Sequence, residues 1–109
     1  MAGASMLKDK NYRNEKITRF AKHRMCTIQI PGICNGNAAT SVWAHSNQGI
    51  HGKGKGIKAH DFYGAIACSD CHDAVDGRRN DLTSEDRIGY LNLGMARTLP
   101  MLFKEGIIK

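Results

Sequence analysis

The sequence predicts a small α+β domain that is stapled by zinc and covered by a C-terminal helix. Two short runs of β-forming residues precede a long segment whose apolar residues recur every three or four positions. With 109 residues, 41% of them hydrophobic, the chain can bury only a thin core. Its four cysteines are the candidate staple, because domains of this size often need disulfides or a structural metal.

The charge balance is basic, with 16 Lys and Arg against 10 Asp and Glu. This balance fits a polyanionic partner such as DNA, since side chains that neutralise phosphates release counterions, although it is also compatible with a basic protein that is merely soluble. The sequence contains neither a secretory apolar region nor the roughly 20 apolar residues that span a bilayer. We therefore expect a cytoplasmic protein without a membrane partner, in which closely spaced cysteines bind metal more often than they form disulfides.

The N-terminal part of the chain is basic and only weakly patterned. Residues 12–25 place four apolar residues at near-helical spacing: Ile17, Phe20, Ala21 and Met25. We expect residues 1–25 to form a basic arm or a short helix, with a solvated terminal segment as the alternative. Residues 26–109 then form the zinc-binding domain.

Two strands are predicted in the first half of this domain. The segment from Cys26 to Cys34 alternates apolar and polar residues and then turns at Pro31-Gly32, which indicates a strand and a turn. Such a loop can fold back and bring the two sulfurs together. Residues 40–45 are β-branched and aromatic and predict a second strand that ends at His45.

A loop rich in glycine and lysine follows. Residues 46–58 lack the spacing of a P-loop. The lysines and the main-chain N–H groups of this loop are candidates for contacts with the phosphates of nucleic acid, whereas the alternative is a flexible connector. The lysines are Lys53, Lys55 and Lys58.

The segment around residues 61–76 carries the densest group of chemically active side chains. Residues 61–67 predict a strand or an extended approach to Cys68, which forms a C-x-x-C pair with Cys71. A helix that follows and ends near residue 77 would place His72 and Asp76 on one face, four residues apart.

The C-terminal segment predicts a long amphipathic helix. Thr83 or Ser84 is its N-cap, Pro100 should kink or split it, and Gly106 should end it. Its apolar residues are expected to face the core: Ile88, Leu91, Met95, Leu99, Leu102 and Phe103.

The four cysteines together predict one closed metal site. Four thiolates around Zn²⁺ form a tetrahedral structural centre, and the ligands here would be Cys26, Cys34, Cys68 and Cys71. The alternatives are four buried thiols or a redox-active C-x-x-C pair, and the sequence around the pair lacks the βαβ pattern of thioredoxin-like proteins.

The order of these motifs resembles the HNH, or ββα-metal (His-Me finger), endonucleases. The resemblance is closer to the YbcO family of prophage nucleases and covers roughly residues 24–108. It is carried by residues 30–37 (IPGICNGN), 44–45 (AH), 67–73 (ACSDCHD) with Asp76, 94–98 (GMART) and 104–106 (KEG).

The resemblance implies a metal-dependent endonuclease that hydrolyses phosphodiester bonds in DNA, encoded by a phage or prophage. A ββα unit would hold a catalytic divalent metal such as Mg²⁺, Mn²⁺ or Zn²⁺ through His72 and Asp76, beside the structural zinc. His45 would deprotonate the attacking water, and the three lysines of the loop would position the DNA backbone. A homodimer is possible, since it would let one active site per chain cut both strands.

Two positions depart from the HNH pattern and leave alternatives open. Many HNH nucleases have Asp or His where this chain has Ala44, so His45 is either the base or itself a metal ligand. Asp61 either replaces the middle Asn of the pattern or only begins a strand. The alternative function is a zinc-binding DNA- or protein-binding module without catalysis.

Overall fold

The computed structural model describes residues 11–109, and two short antiparallel strands lie at its centre. Strand β1 is Val42–His45 and strand β2 is Gly64–Ala67, paired from Val42 with Ala67 to His45 with Gly64. The predicted strand that ends at His45 is confirmed. Strand β2 is shorter than the predicted extended segment of residues 61–67. The chain reaches the sheet only after a turn in which the Tyr63 N–H donates to the His60 carbonyl.

In the described part of the chain, three α-helices accompany the sheet of this small α+β domain: α1, Glu15–Thr18; α2, Ser69–Val75; and α3, Ser84–Lys104. Three short 3-10 helices of the same part lie between α1 and α2: Arg19–Ala21, Ala38–Thr40 and Gly49–His51. Within residues 11–109, no helix is long and apolar enough to cross a membrane.

The N-terminal segment packs on the sheet. Residues 1–10 of the predicted arm lie outside the described part of the chain, whereas the short helix predicted within residues 12–25 is present as α1. Ile17 and Phe20 are buried in one core cluster with Trp43, Ile66 and Leu102. The division of the chain at residue 25 stays a prediction.

Helix α2 begins directly after Cys68 and ends close to the predicted position near residue 77. The Cys68 sulfur accepts the N–H of Cys71 and caps its N-terminus. At its other end, Gly77 has a φ of +78°, and the Arg78 N–H donates to the Asp73 carbonyl at 2.9 Å. This is a Schellman motif, which satisfies carbonyls that the helix leaves free.

Helix α3 runs unbroken through Pro100, so the predicted split is wrong. Proline removes one main-chain donor, to the carbonyl four residues earlier. Pro100 and Ala96, which carries that carbonyl, are both exposed, so water can replace the lost donor. The ends follow the sequence prediction: Thr83 accepts the Asp86 N–H at the N-cap, and Gly106 has a φ of +72° beyond the last turn.

The buried face of α3 differs from the predicted apolar stripe. Ile88, Leu99 and Phe103 are exposed, whereas the fully buried positions are Leu91, Gly94, Thr98 and Leu102. A small residue and a hydrogen-bonded threonine let the helix lie close to β2. The Thr98 hydroxyl donates to the Gly94 carbonyl at 2.7 Å and bonds the Thr27 hydroxyl at 2.8 Å. The face of α3 that packs on β2 is therefore the face with small side chains rather than the most apolar face.

Residues 26–34 do not form the predicted strand. Only Thr27 pairs with the sheet, where its N–H donates to the Ile66 carbonyl at 2.9 Å. Gln29 has a φ of +52°, which turns the chain, and the N–H of Cys34 donates to the Ile30 carbonyl in a second turn. The apolar alternation reflects the burial of Ile28 and Ile30 beside the cysteines rather than an extended backbone.

Substituting Gly94 tests this close packing. An added Cβ would lie 2.7 Å from Ile28 Cγ1 and 3.0 Å from Ala65 Cβ, both fully buried. We expect Gly94→Ala to lower the free energy of unfolding by about 1–3 kcal/mol through overpacking. Gly89 is the matched control, since a Cβ there meets no atom within 4 Å. Gly89→Ala should raise stability by about 0.5–1 kcal/mol in urea unfolding; equal effects of the two substitutions would contradict the packing.

Candidate active site and metal centre

The four cysteines form one cluster. The sulfurs of Cys26, Cys34, Cys68 and Cys71 all lie within 4.8 Å of one another. Cys34 and Cys68 are 3.9 Å apart, close to the sulfur spacing of about 3.8 Å that a tetrahedron with Zn–S bonds of about 2.3 Å requires. All four are free thiols. The residues therefore fit a four-coordinate metal, and the predicted convergence of the two pairs is confirmed.

Local turns orient two of these sulfurs within the cluster. The Cys26 sulfur accepts the N–H of Gln29 at 3.4 Å, and the Cys68 sulfur accepts the N–H of Cys71 at the same distance. The hydrogen bond with Cys71 lowers the pKa of Cys26 to about 4 and raises the pKa of Cys71. Burial raises the pKa of Cys34. The cluster by itself therefore favours a thiolate at Cys26, and binding of a metal would release protons from its other ligands.

His45 is held by a buried carboxylate. Its Nε2 lies 2.8 Å from Asp61 Oδ1, and the Asp61 side chain is only 5% exposed. The antiparallel register explains this contact, because His45 pairs with Gly64 and the Ser46 N–H donates to the Tyr63 carbonyl. Asp61 therefore lies directly beyond the end of the ladder, beside the imidazole.

Gly64 is required at this point of the sheet. A Cβ there would lie 2.4 Å from Trp43 Nε1 and 2.9 Å from the Ala44 carbonyl oxygen. The indole therefore crosses β2 at this glycine, and its N–H donates to the Asp61 carbonyl at 2.9 Å. Trp43 thus fixes the main chain of Asp61 while the carboxylate bonds His45.

His72 and Asp76 face each other across one turn of α2, as predicted from their spacing. His72 Nε2 lies 3.3 Å from Asp76 Oδ2, and both side chains are about a quarter exposed. Arg78 approaches the same carboxylate oxygen at 3.5 Å, and Asn47 donates to Asp76 Oδ1 at 3.4 Å. An imidazole nitrogen and a carboxylate oxygen thus lie next to each other on this face of α2.

A single pocket of about 330 Å³ joins the two histidines. It is lined by Trp43, His45, Ser46, Asn47, Lys53, Lys58, His72, Asp76 and Arg78. Two of the three predicted lysines therefore reach it. Lys55 does not line this pocket, because it is exposed on a tight turn closed by reciprocal Gly54–Ile57 hydrogen bonds of 3.0 Å.

The side chain at position 44 belongs to the core rather than to this pocket. Ala44 is buried and shares a core cluster with Ala65, Leu91 and the cysteines. Side chains alternate between the two faces of a strand, so its neighbour His45 points the other way. The small residue at 44 is explained by packing in the core.

The remaining histidines near the loop have structural partners. His51 stacks on Tyr63 with ring centroids 4.2 Å apart, and burial lowers its pKa. His60 Nδ1 accepts the N–H of Tyr12 at 2.9 Å. Sequence reasoning missed Arg78 and Asn47 in the pocket, although the position of Arg78 directly after a helix-ending glycine was visible.

The comparisons with known proteins agree with one another. Residues 15–107 match the family described as "Putative nuclease YbcO". "Putative nuclease YbcO" of Escherichia coli (strain K12) and "Putative nuclease ybcO" of Enterobacteria phage 82 are each 42% identical over 94 residues, which are 85% of this chain and 96% of the relative.

A solved structure is also similar. It is described as "Structure of a putative bacteriophage protein from Escherichia coli str. K-12 substr. MG1655", with a TM-score of 0.67 and 39% identity, and the match covers 83% of this chain and 99% of that one. The family match extends over most of the chain and includes both strands, the four cysteines and the pocket. The chain therefore belongs to the YbcO family of phage and prophage proteins.

Proposed function

We propose that this protein is an HNH-type, metal-dependent endonuclease that hydrolyses phosphodiester bonds in DNA in the cytoplasm of the bacterial host. The observation that carries the proposal is the shared pocket, in which the His45–Asp61 and His72–Asp76 pairs lie beside basic side chains. The family and the names of its members support a nuclease.

His45 is the proposed general base. A carboxylate accepts the Nε2–H of the imidazole, so the lone pair of Nδ1 is free to take a proton from water. The water oxygen then forms a bond to phosphorus, the bond from phosphorus to the 3′ oxygen breaks, and that oxygen leaves with a proton from solvent. Asp61 takes the place of the middle Asn of the HNH pattern and orients the base.

His72 and Asp76 are the proposed ligands of the catalytic metal. One nitrogen and one oxygen donor fit Mg²⁺, Mn²⁺ or Zn²⁺ when water and phosphate oxygens complete the coordination. The bound ion would stabilise negative charge on the phosphate and on the leaving oxygen. The cysteine cluster is the proposed structural zinc site, separate from this pair and closed to substrate.

A non-catalytic zinc-binding module that binds DNA or protein is the second candidate. It is favoured by the donor set, since among residues 11–109 only the cysteines form a group of three or more potential metal ligands. This module would bind its partner without cleavage. A homodimer would give the nuclease two active sites for the two strands of a duplex. The binding module does not need to form a dimer for this purpose.

The lysines of the loop provide a matched test of the DNA-binding surface. Lys53 and Lys58 line the pocket, whereas Lys55 lies two residues away from Lys53 on the exposed turn. We expect Lys53→Ala with Lys58→Ala to weaken DNA binding about 10-fold and to lower the slope of log affinity against log salt by about 2. Lys55→Ala should change the affinity much less in the same fluorescence anisotropy titrations. An equal loss from Lys55→Ala would place the DNA elsewhere.

A further inference from the structure

The carboxylate beside the candidate base is held by the N-terminal segment. The Asn14 main-chain N–H donates to Asp61 Oδ2 at 2.6 Å, and Arg13 Nη1 lies 3.3 Å from Oδ1. His45 Nε2 shares Oδ1 at 2.8 Å. A buried carboxylate without such partners would be costly, so these two N-terminal residues compensate a charge that the sheet alone leaves in the interior.

The Arg13 and Asn14 donors also determine which atoms of the His45–Asp61 pair carry protons. A guanidinium and a main-chain N–H can only donate, so both oxygens of Asp61 act as acceptors. A proton on either oxygen would compete with one of these donors. His45 Nε2 is then the donor to Asp61, and its Nδ1 keeps the lone pair that a general base needs.

The N-terminal segment is itself tied to the loop that it approaches. Asn11 Nδ2 donates to the carbonyls of Gly52 and Lys58, both at 2.8 Å, and the N–H of Asp61 donates to the Tyr12 carbonyl at 2.9 Å. Arg13 also donates to the carbonyls of Lys58 and Ala59. The segment is thus fixed before substrate arrives. Residues 11–14 precede the family match, which begins at residue 15.

We propose that Arg13 and the main-chain N–H of Asn14 are positioning groups that keep Asp61 an acceptor and thereby hold His45 in its Nε2–H form. This inference rests on the proposed nuclease function for its kinetic consequence. The competing role for Arg13 is a direct phosphate contact, because its side chain is 45% exposed and lines a second pocket with His45 and Lys58.

Cleavage kinetics separate the two roles. In the full-length, zinc-loaded protein, Arg13→Ala should lower kcat about 10-fold with little change in KM, as expected when a group that orients another is removed. Arg13→Lys should recover part of the loss. In an Asp61→Asn background, Arg13→Ala should lower kcat no further, because Arg13 is proposed to act on His45 through Asp61. The inference would be overturned if Arg13→Ala raised KM and left kcat unchanged. It would also be overturned if Arg13→Ala still lowered kcat about 10-fold in the Asp61→Asn background.

Arg19→Ala is the matched control. It removes the same charge from the same end of the chain, but Arg19 is exposed and forms a surface ion pair with Glu15. It should leave kcat unchanged, whereas an equal fall in kcat would show that net charge alone explains the effect of Arg13.

The tautomer of His45 gives a readout that does not need cleavage. Long-range ¹H–¹⁵N spectra at about pH 8, where ordinary histidines are neutral, should show His45 as Nε2–H, assigned by the signal that His45→Ala removes. Arg13→Ala should give a mixture of tautomers. An Nδ1–H ring in the unsubstituted protein, or spectra that Arg13→Ala leaves unchanged, would overturn the inference. If the protein cleaved no DNA, the proposed function would fail while the spectra still decided this point.

Discussion

Replacing His45 with alanine is expected to slow DNA cleavage by about 10²- to 10⁴-fold, the usual contribution of a general base. The fold should survive, because Asp61 keeps hydrogen bonds from Arg13 and the Asn14 N–H when the imidazole is lost. DNA binding should also survive, since Lys53 and Lys58 remain in the pocket. Nicking of supercoiled plasmid, thermal unfolding and fluorescence anisotropy measure the three properties separately.

His23→Asn is the control for this substitution. His23 is exposed, lies outside the pocket and has a φ of +60°, a conformation that asparagine tolerates. It should cleave at the rate of the unsubstituted protein. Full cleavage by His45→Ala would show that His45 is not the base, whereas loss of cleavage together with loss of folding would leave the base undemonstrated and require His45→Gln in its place.

Removing one of the proposed zinc ligands is expected to unfold the protein. Structural zinc contributes on the order of 10 kcal/mol in small domains, as much as the whole stability of a typical domain. Cys71 is fully buried and belongs to a core cluster with Ile28, Ile30 and Leu91, so a metal bound there and the core would depend on each other. The Cys71→Ser variant should contain no zinc and should lose its helical circular dichroism signal at room temperature.

Met25→Ser is the matched control for the cysteine substitution. Met25 precedes Cys26, a proposed zinc ligand, but its side chain is 61% exposed. This variant should keep one zinc per chain and a normal unfolding midpoint. A folded Cys71→Ser variant, or unsubstituted protein that lacks zinc after purification in zinc-containing medium, would contradict the structural zinc site.

The parts of the site that depend on local spacing could be predicted from the sequence. Cys68 and Cys71 fit the turn at the start of a helix, and His72 and Asp76 are brought together by the helical repeat. The strand that ends at His45 followed from its β-branched and aromatic residues. The count and spacing of the four cysteines favoured a shared metal over buried thiols or a redox pair, so their long-range convergence could also be predicted.

Features set by contacts between distant segments could not be predicted. The alternation in residues 26–34 has the period of a strand, yet the chain turns at Gln29 so that Cys26 meets the other cysteines. In α3, the packed face is chosen by the closeness of Ile28 to Gly94, which composition does not reveal. The contact between Asp61 and His45 depends on the register of the two strands, which the sequence does not specify.

The measurement that tests the nuclease most directly is nicking of supercoiled plasmid DNA by the zinc-loaded protein, with and without added Mg²⁺ or Mn²⁺. We predict nicking that requires added metal, because a zinc ion bound by all four cysteines would have no open coordination position for substrate. Folded, zinc-loaded protein that binds DNA but leaves plasmid, linear duplex and single strands intact with every metal would contradict the nuclease and favour the binding module.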